Sequence, residues 1–156
     1  MNTLVVLTAQ YLIFAAGLLT LVFWLRLPKE SKMSFAIQFI VAGIIAVLLS
    51  KRIAHFYFSA RPFVRLHAMP LFPHEPDNGF PSDHTTLTLL AALLVLGYSR
   101  KIGAVLVVCS LLIGIARIAA LVHSPIDILG SVVIAVVSVW TASLAFRYGR
   151  QGKAAQ

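Results

Sequence analysis

The sequence predicts an all-α fold, a polytopic membrane bundle of about five transmembrane helices, and three observations carry that prediction. Of 156 residues, 60% are hydrophobic and only 12% are charged, against roughly 45–50% and about 25% in soluble domains. The mean hydropathy is +0.92. Apolar runs close to the ~20 residues that a bilayer requires recur along the chain, with the charged residues between them. A soluble core of this size cannot enclose so much apolar surface, so lipid is the expected solvent.

The elements follow in order. Leu4 to Leu25 is uncharged and long enough to span. It lacks a basic segment before it and a small-residue cleavage site after it, so it reads as a retained helix. Arg26, Pro28, Lys29, Glu30 and Lys32 form a polar turn. Met33 to Ser50 is the second run, extending towards Ser59 until Pro62 stops it. Residues 61–83 hold Pro62, Pro70, Pro73, Pro76 and Pro81 among charged residues, which predicts a long functional loop. Thr85 to Ser99 is a third run, short for a full span. Ile102 to Ala116, continuing to Val122 and interrupted by Arg117, is the fourth, and Pro125 to Phe146 is the fifth. A sixth span arises only if the loop segment also crosses. Residues 1–156 read as one membrane-embedded domain, ending in a basic tail over 147–156.

Five spans place the termini on opposite sides. Arg26, Lys29 and Lys32, then Arg100 and Lys101, then Arg147, Arg150 and Lys153 fall on one side, which is cytoplasmic by the positive-inside rule. The loop over 61–83 then faces the periplasm or cell exterior. Lys51, Arg52 and Arg65 run against this bias. The net charge of +8 is explained by topology and anionic head groups, so no nucleic-acid partner is expected. Cys109 stands alone and excludes an internal disulfide. Trp24 and Tyr148 read as interfacial belt residues, and Gly43, Gly103 and Gly114 as sites of close helix packing.

Three distant clusters converge on the loop side: Arg61-Pro62, then Pro81-Ser82-Asp83-His84, then Arg117 with His123 and Asp127. An arginine within an apolar run is costly and marks a function. Two arginines can fork onto phosphate oxygens. Ser82, and Ser124 before Pro125, sit where helices start, and helix N-termini attract anions. One histidine could attack phosphorus and the other protonate the leaving oxygen. Asp127, four residues after His123, could orient the nucleophile, or cap the helix with Ser124. No carboxylate cluster suits magnesium and no His/Cys set has zinc spacing, so neither a metal nor another cofactor is expected. Arg65, His67 and His74 read as loop-surface or head-group contacts, His55 as an interfacial residue, and Glu75 and Asp77 as loop solvation.

Arg61-Pro62, Pro81-Ser82-Asp83-His84 and the Arg117, His123, Asp127 spacing resemble the three motifs of the type 2 phosphatidic acid phosphatase (PAP2) superfamily, over residues 51–131. Leu71-Phe72-Pro73-His74 and Asp77-Asn78-Gly79-Phe80 before the second motif resemble the undecaprenyl-diphosphatase, bacitracin-resistance branch, in which Asp83 is also usual. The resemblance implies a metal-independent helical membrane phosphatase. His123 is then the nucleophile, Asp127 its orienting partner and His84 the general acid, with Arg61, Ser82 and Arg117 holding phosphate. Asp83 and Lys51 join the phosphate-binding set. Two positions depart from the pattern. The first-motif lysine position is Ala54, with Lys51 or Arg52 as candidates to replace it. The serine usually preceding the third-motif arginine is Ala116.

The resemblance further implies hydrolysis of undecaprenyl diphosphate to undecaprenyl phosphate and phosphate. Alternative substrates are phosphatidic acid, phosphatidylglycerol phosphate and lipid A phosphates. A non-catalytic lipid-phosphate binder or transporter would need the arginines but not His123. A soluble vanadate-binding peroxidase is excluded by the short, apolar chain. The histidine pair predicts a bell-shaped pH profile.

Overall fold

The computed structural model describes the backbone of residues 2–154 and the side chains of residues 2–146. The side chains of Arg147, Tyr148, Arg150 and Lys153 lie outside the described residues. The fold is all helical: α1 (Asn2–Arg26), α2 (Lys29–Phe56), α3 (Pro62–Arg65), α4 (Asp83–Leu96), α5 (Arg100–Ala119) and α6 (Pro125–Ala154).

Four of these helices are long and apolar enough to cross a bilayer, namely α1, α2, α5 and α6 through Phe146. The loop contributes only the single turn α3, with Pro62 at its start, so it supplies no sixth span. α4 has 14 residues, about 21 Å at 1.5 Å per residue, short of a ~30 Å hydrocarbon core. It is enclosed by α5, α6, α2 and α1. Its N-terminus therefore begins inside the bundle.

The outward faces are apolar, with Leu4, Phe14, Ile40 and Trp140 all well exposed. In water such a surface would aggregate, whereas in lipid it costs nothing. This is a membrane protein.

α2 starts at Lys29, ahead of the uncharged run: Pro28 is its N-cap, with a carbonyl that accepts from Lys32 N–H at 2.9 Å, and the Trp24 indole donates to the Lys32 carbonyl at 3.0 Å. α5 ends at Ala119, earlier than its apolar run, because Leu121 takes a left-handed φ of 64°. Close packing holds at two of the three expected glycines. A Cβ on Gly103 would press on the Leu96 backbone, and one on Gly114 on Ile128, while Gly43 meets nothing within 4 Å.

At one end of the bundle, Phe23, Phe35 and Tyr98 pack edge to face with centroids 5.6–6.5 Å apart. The basic turns Arg26–Lys32 and Arg100–Lys101 lie at that end. The other end collects the C-termini of α2 and α5, the N-termini of α4 and α6, and the long loop.

Candidate active site

The loop is strapped onto the turn between α5 and α6. Phe63 N–H donates to the Leu121 carbonyl at 3.0 Å and Leu71 N–H to the Ala120 carbonyl at 3.3 Å. Arg61, 5% exposed, donates from Nη1 to the Val122 carbonyl at 2.7 Å. Its Nε pairs with Asp77 at 2.8 Å, and Nη2 reaches the Asn78 carbonyl at 3.4 Å. Asp77, expected to solvate the loop or shape a turn with Asn78-Gly79, is largely exposed and also pairs with an arginine. Burial opposes ionisation of Asp77, but the hydrogen bond and charge of Arg61 hold its carboxyl below the usual range.

Asn78 fastens the loop to the end of α2. Its amide donates to the carbonyls of Ala54 and Tyr57 at 3.2 and 2.9 Å, which lack partners at a helix C-terminus. Its Oδ1 accepts from Ser59 N–H and Phe80 N–H, each at 3.0 Å. Next to it, Gly79 N–H donates to the Ser59 carbonyl at 2.8 Å. A Cβ on Gly79 would stand 3.0 Å from Asp127 Oδ2 and 3.1 Å from that carbonyl. A side chain here would require one of these neighbours to give by a few tenths of an ångström.

The approach sets the histidine. His123 is buried, and its Nδ1 lies 2.8 Å from the Gly79 carbonyl oxygen. A carbonyl can only accept, so the proton sits on Nδ1 and the lone pair on Nε2. Asp127, fully buried, stands 3.6 Å from the same Nδ1. Its Oδ2 also accepts from Ser124 N–H at 2.7 Å. The capping and orienting roles expected of Asp127 therefore meet in one oxygen. Burial lowers the His123 pKa most, the Asp127 hydrogen bond opposes this, and the charges of Arg117 and Arg61 lower it further, for a net depression.

Arg117 is 4% exposed, so it does not snorkel to the interface. Nη1 donates to the Ala9 carbonyl of α1 at 3.2 Å, and Nη2 lies 3.1 Å from His74 Nε2. Its Nε is buried without a partner. His74 thus joins the site, with its ring centroid 6.3 Å from that of His123. Burial, then the charges of Arg61, Arg117 and His123, push the His74 pKa down to about 4, with Asp77 opposing. It is neutral at pH 7 and can accept from Arg117.

Two cavities of about 780 and 960 Å³ share His74, His84 and Arg117 on their walls. The smaller also exposes Arg61, His123, Lys51 and Asp83. Of the two candidates for the absent lysine, Lys51 lines this cavity, while the Arg52 guanidinium lies 5.3 Å over the Phe56 ring. From the second motif the wall takes Pro81, Asp83 and His84. Ser82 lies beneath with no exposed surface. Its N–H donates to Ser131 Oγ at 2.9 Å, and its hydroxyl accepts from Thr85 at 3.2 Å. Arg65, His67, His55 and Glu75 are exposed.

The sequence reasoning missed His74, Asn78, Gly79 and Ser131. Asn78-Gly79 carried a turn signal, but nothing in the sequence pairs His74 with Arg117. Among the described residues, no group of three or more His, Cys, Asp or Glu side chains is placed to hold a metal ion.

Over 137 residues the chain is 36% identical to undecaprenyl-diphosphatase BcrC of Bacillus subtilis (strain 168), covering 88% of this chain and 70% of that protein. It is 31% identical over 147 residues to the bacitracin transport permease protein BcrC of Bacillus licheniformis, covering 91% and 72%. It is 28% identical over 148 residues to the putative undecaprenyl-diphosphatase YbjG of Escherichia coli (strain K12), covering 94% and 74%. No solved structure matches. The family model described as the PAP2 superfamily matches residues 34–151, which include every histidine and arginine of the site, and the chain belongs to that superfamily.

Proposed function

We propose that this protein hydrolyses undecaprenyl diphosphate to undecaprenyl phosphate and inorganic phosphate through a phosphohistidine. The carrying observation is the 2.8 Å contact between His123 Nδ1 and the Gly79 carbonyl, which leaves Nε2 unprotonated on the wall of a cavity bearing two arginines.

The reaction divides into two steps. Nε2 of His123 attacks the terminal phosphorus as the bond to the bridging oxygen breaks, and His84 gives that oxygen its proton. Such proton transfer is worth roughly 10²–10⁴-fold. Water then attacks the phosphohistidine with His84 as base, releasing phosphate and restoring both histidines. Arg61 and Arg117 neutralise the charge that develops on the phosphoryl oxygens. The imidazolium-like charge on His123 is balanced by Asp127. Lys51 supplies a further cation on the cavity wall, and Asp83 sits at its rim.

The basic turns lie at the end opposite the site. This supports a bacterial cytoplasmic membrane placement with the site facing outward. The names of the Bacillus subtilis and Escherichia coli relatives support undecaprenyl diphosphate as the substrate. The Bacillus licheniformis relative is named a bacitracin transport permease protein, and a second reading is that this site binds a lipid phosphate without cleaving it.

One assay separates these readings. Phosphate release is measured from undecaprenyl diphosphate and from phosphatidic acid, in detergent with excess chelator, beside His123→Ala. The expected result is chelator-resistant release, faster from the diphosphate and lost in the variant. Release abolished by chelator overturns the mechanism, and binding without release supports the second reading.

A further inference from the structure

We propose that His74 is a positioning residue for phosphate binding: its ring accepts a hydrogen bond from Arg117 and holds that guanidinium with its free Nη donors turned to the cavity. The inference rests on the site described under Proposed function and adds a third histidine to it.

The geometry carries the argument in three steps. A guanidinium has five N–H donors. Arg117 gives one from Nη1 to the Ala9 carbonyl and one from Nη2 to His74 Nε2, at 3.2 and 3.1 Å. Nε stays buried and unpaired, and Nη2 keeps a second N–H. Nη1 keeps one as well, and because Nε is enclosed while Arg117 lines both cavities, the free Nη N–H groups are those a phosphate can reach. Without His74, only the Ala9 contact fixes the plane, and the guanidinium can turn about it.

His74 is itself held. Pro73 and Pro76 flank it closely and fix two φ angles. The Phe72 ring lies 6.2 Å away, and the Leu71 N–H bond to Ala120 anchors the strand of loop before it. The groups facing it are Arg117 from α5, His123 from the α5–α6 turn, Arg61 from the start of α3, His84 from α4, and Asp77 from its own loop. Three of these are cationic or can become so beside Arg117, which keeps the ring neutral and able to accept.

The test compares wild type, His74→Ala and His74→Gln, all purified in detergent with melting temperatures recorded. Orthovanadate affinity is read by calorimetry, which needs no turnover, and kcat and KM are read with undecaprenyl diphosphate. A hydrogen bond to a charged group is worth ~1.5–3 kcal/mol, or about 10- to 100-fold. Vanadate affinity is expected to fall about 10-fold or more in His74→Ala, with KM rising more than kcat falls. His74→Gln, whose amide oxygen can accept from Arg117, is expected to recover most of the affinity.

Unchanged vanadate affinity in a folded His74→Ala protein overturns the inference. So does a glutamine variant as weak as the alanine one, since a ring-packing role predicts that result. Vanadate binding that follows the expected order in a wild type releasing no phosphate supports the inference while sinking the phosphatase reading.

Discussion

His123 Nδ1 is 2.8 Å from the Gly79 carbonyl and 3.6 Å from Asp127 Oδ2. The ring is thus held by a backbone acceptor first and a carboxylate second. In the serine-protease triad, by contrast, the carboxylate alone fixes the tautomer, and its amide replacement costs about 10⁴-fold. Here Asp127→Asn is expected to lose less, ~10²-fold in kcat for phosphate release, because the Gly79 carbonyl still holds the proton on Nδ1. His123→Ala should show no turnover. An Asp127→Asn enzyme as inactive as His123→Ala would show that the backbone contact does not hold the tautomer.

The same pair predicts the effect of a methyl group on Gly79. Its Cβ would stand 3.0 Å from Asp127 Oδ2 and 3.1 Å from the Ser59 carbonyl. Neither neighbour can yield easily, since Asp127 is fully buried and tied to Ser124, and Ser59 O already accepts from Gly79 N–H. Gly79→Ala is therefore expected to lower kcat further than Asp127→Asn, as both contacts to Nδ1 shift together. Crowding of this kind costs about 1–3 kcal/mol, so a lower melting temperature should accompany the kinetic loss. Wild-type kcat in this variant would show that the loop can retreat without moving the histidine.

Asn78 and Asp77 are neighbours with unequal tasks. Asp77 makes one contact, to an arginine that also donates to the carbonyls of Val122 and Asn78. Asn78 ties Ala54, Tyr57, Ser59 and Phe80 together. Asp77→Ala is expected to lower kcat/KM a few-fold, ~1 kcal/mol or less, because the carboxylate is largely exposed. Asn78→Ala should lower both melting temperature and activity more, by ~1–3 kcal/mol. Equal effects of the two variants would remove Asn78 from its place at the end of α2.

The bundle was legible because lipid leaves the backbone few choices. An apolar run near 20 residues must be a helix, and α1, α2, α5 and α6 fall on the expected runs. Asp127 and His123 were legible because both lie on one turn of chain, four residues apart. His74 and Arg117 are 43 residues apart, and their contact depends on how a proline-rich loop lands on the α5–α6 turn. No local pattern encodes that landing. The placement of Ser82 was also hidden. Its position at the start of α4 was readable, but its hydroxyl turns inward to Thr85 because α4 begins inside the bundle.

Acid affects activity and stability in the same direction through different histidines. Attack requires neutral His123, whose pKa is depressed by burial against the opposing Asp127 bond. The acid limb of kcat/KM is therefore expected below pH 6.5, the ordinary histidine value. Burial and the charges of Arg117, His123 and His74 lower the His84 pKa to about 4, so the alkaline limb belongs to the coupled histidines with phosphate bound and not to His84 alone. Stability follows His74 and His84, each lowered from 6.5 to about 4 by burial first and by neighbouring positive charge second, and the share of His74 is the one a variant can remove. Between these values the unfolded chain holds a proton that the folded protein does not, so stability rises with pH across this window. The contribution is complete above about pH 6.5 and is lost as pH falls through about 4. Melting temperature measured from pH 7.5 down to 4 should thus decline in the wild type, and less steeply in His74→Gln, which has nothing to titrate there. The activity limb in that variant should still fall through the His123 range. Parallel melting curves for the two proteins would assign the acid sensitivity to other groups.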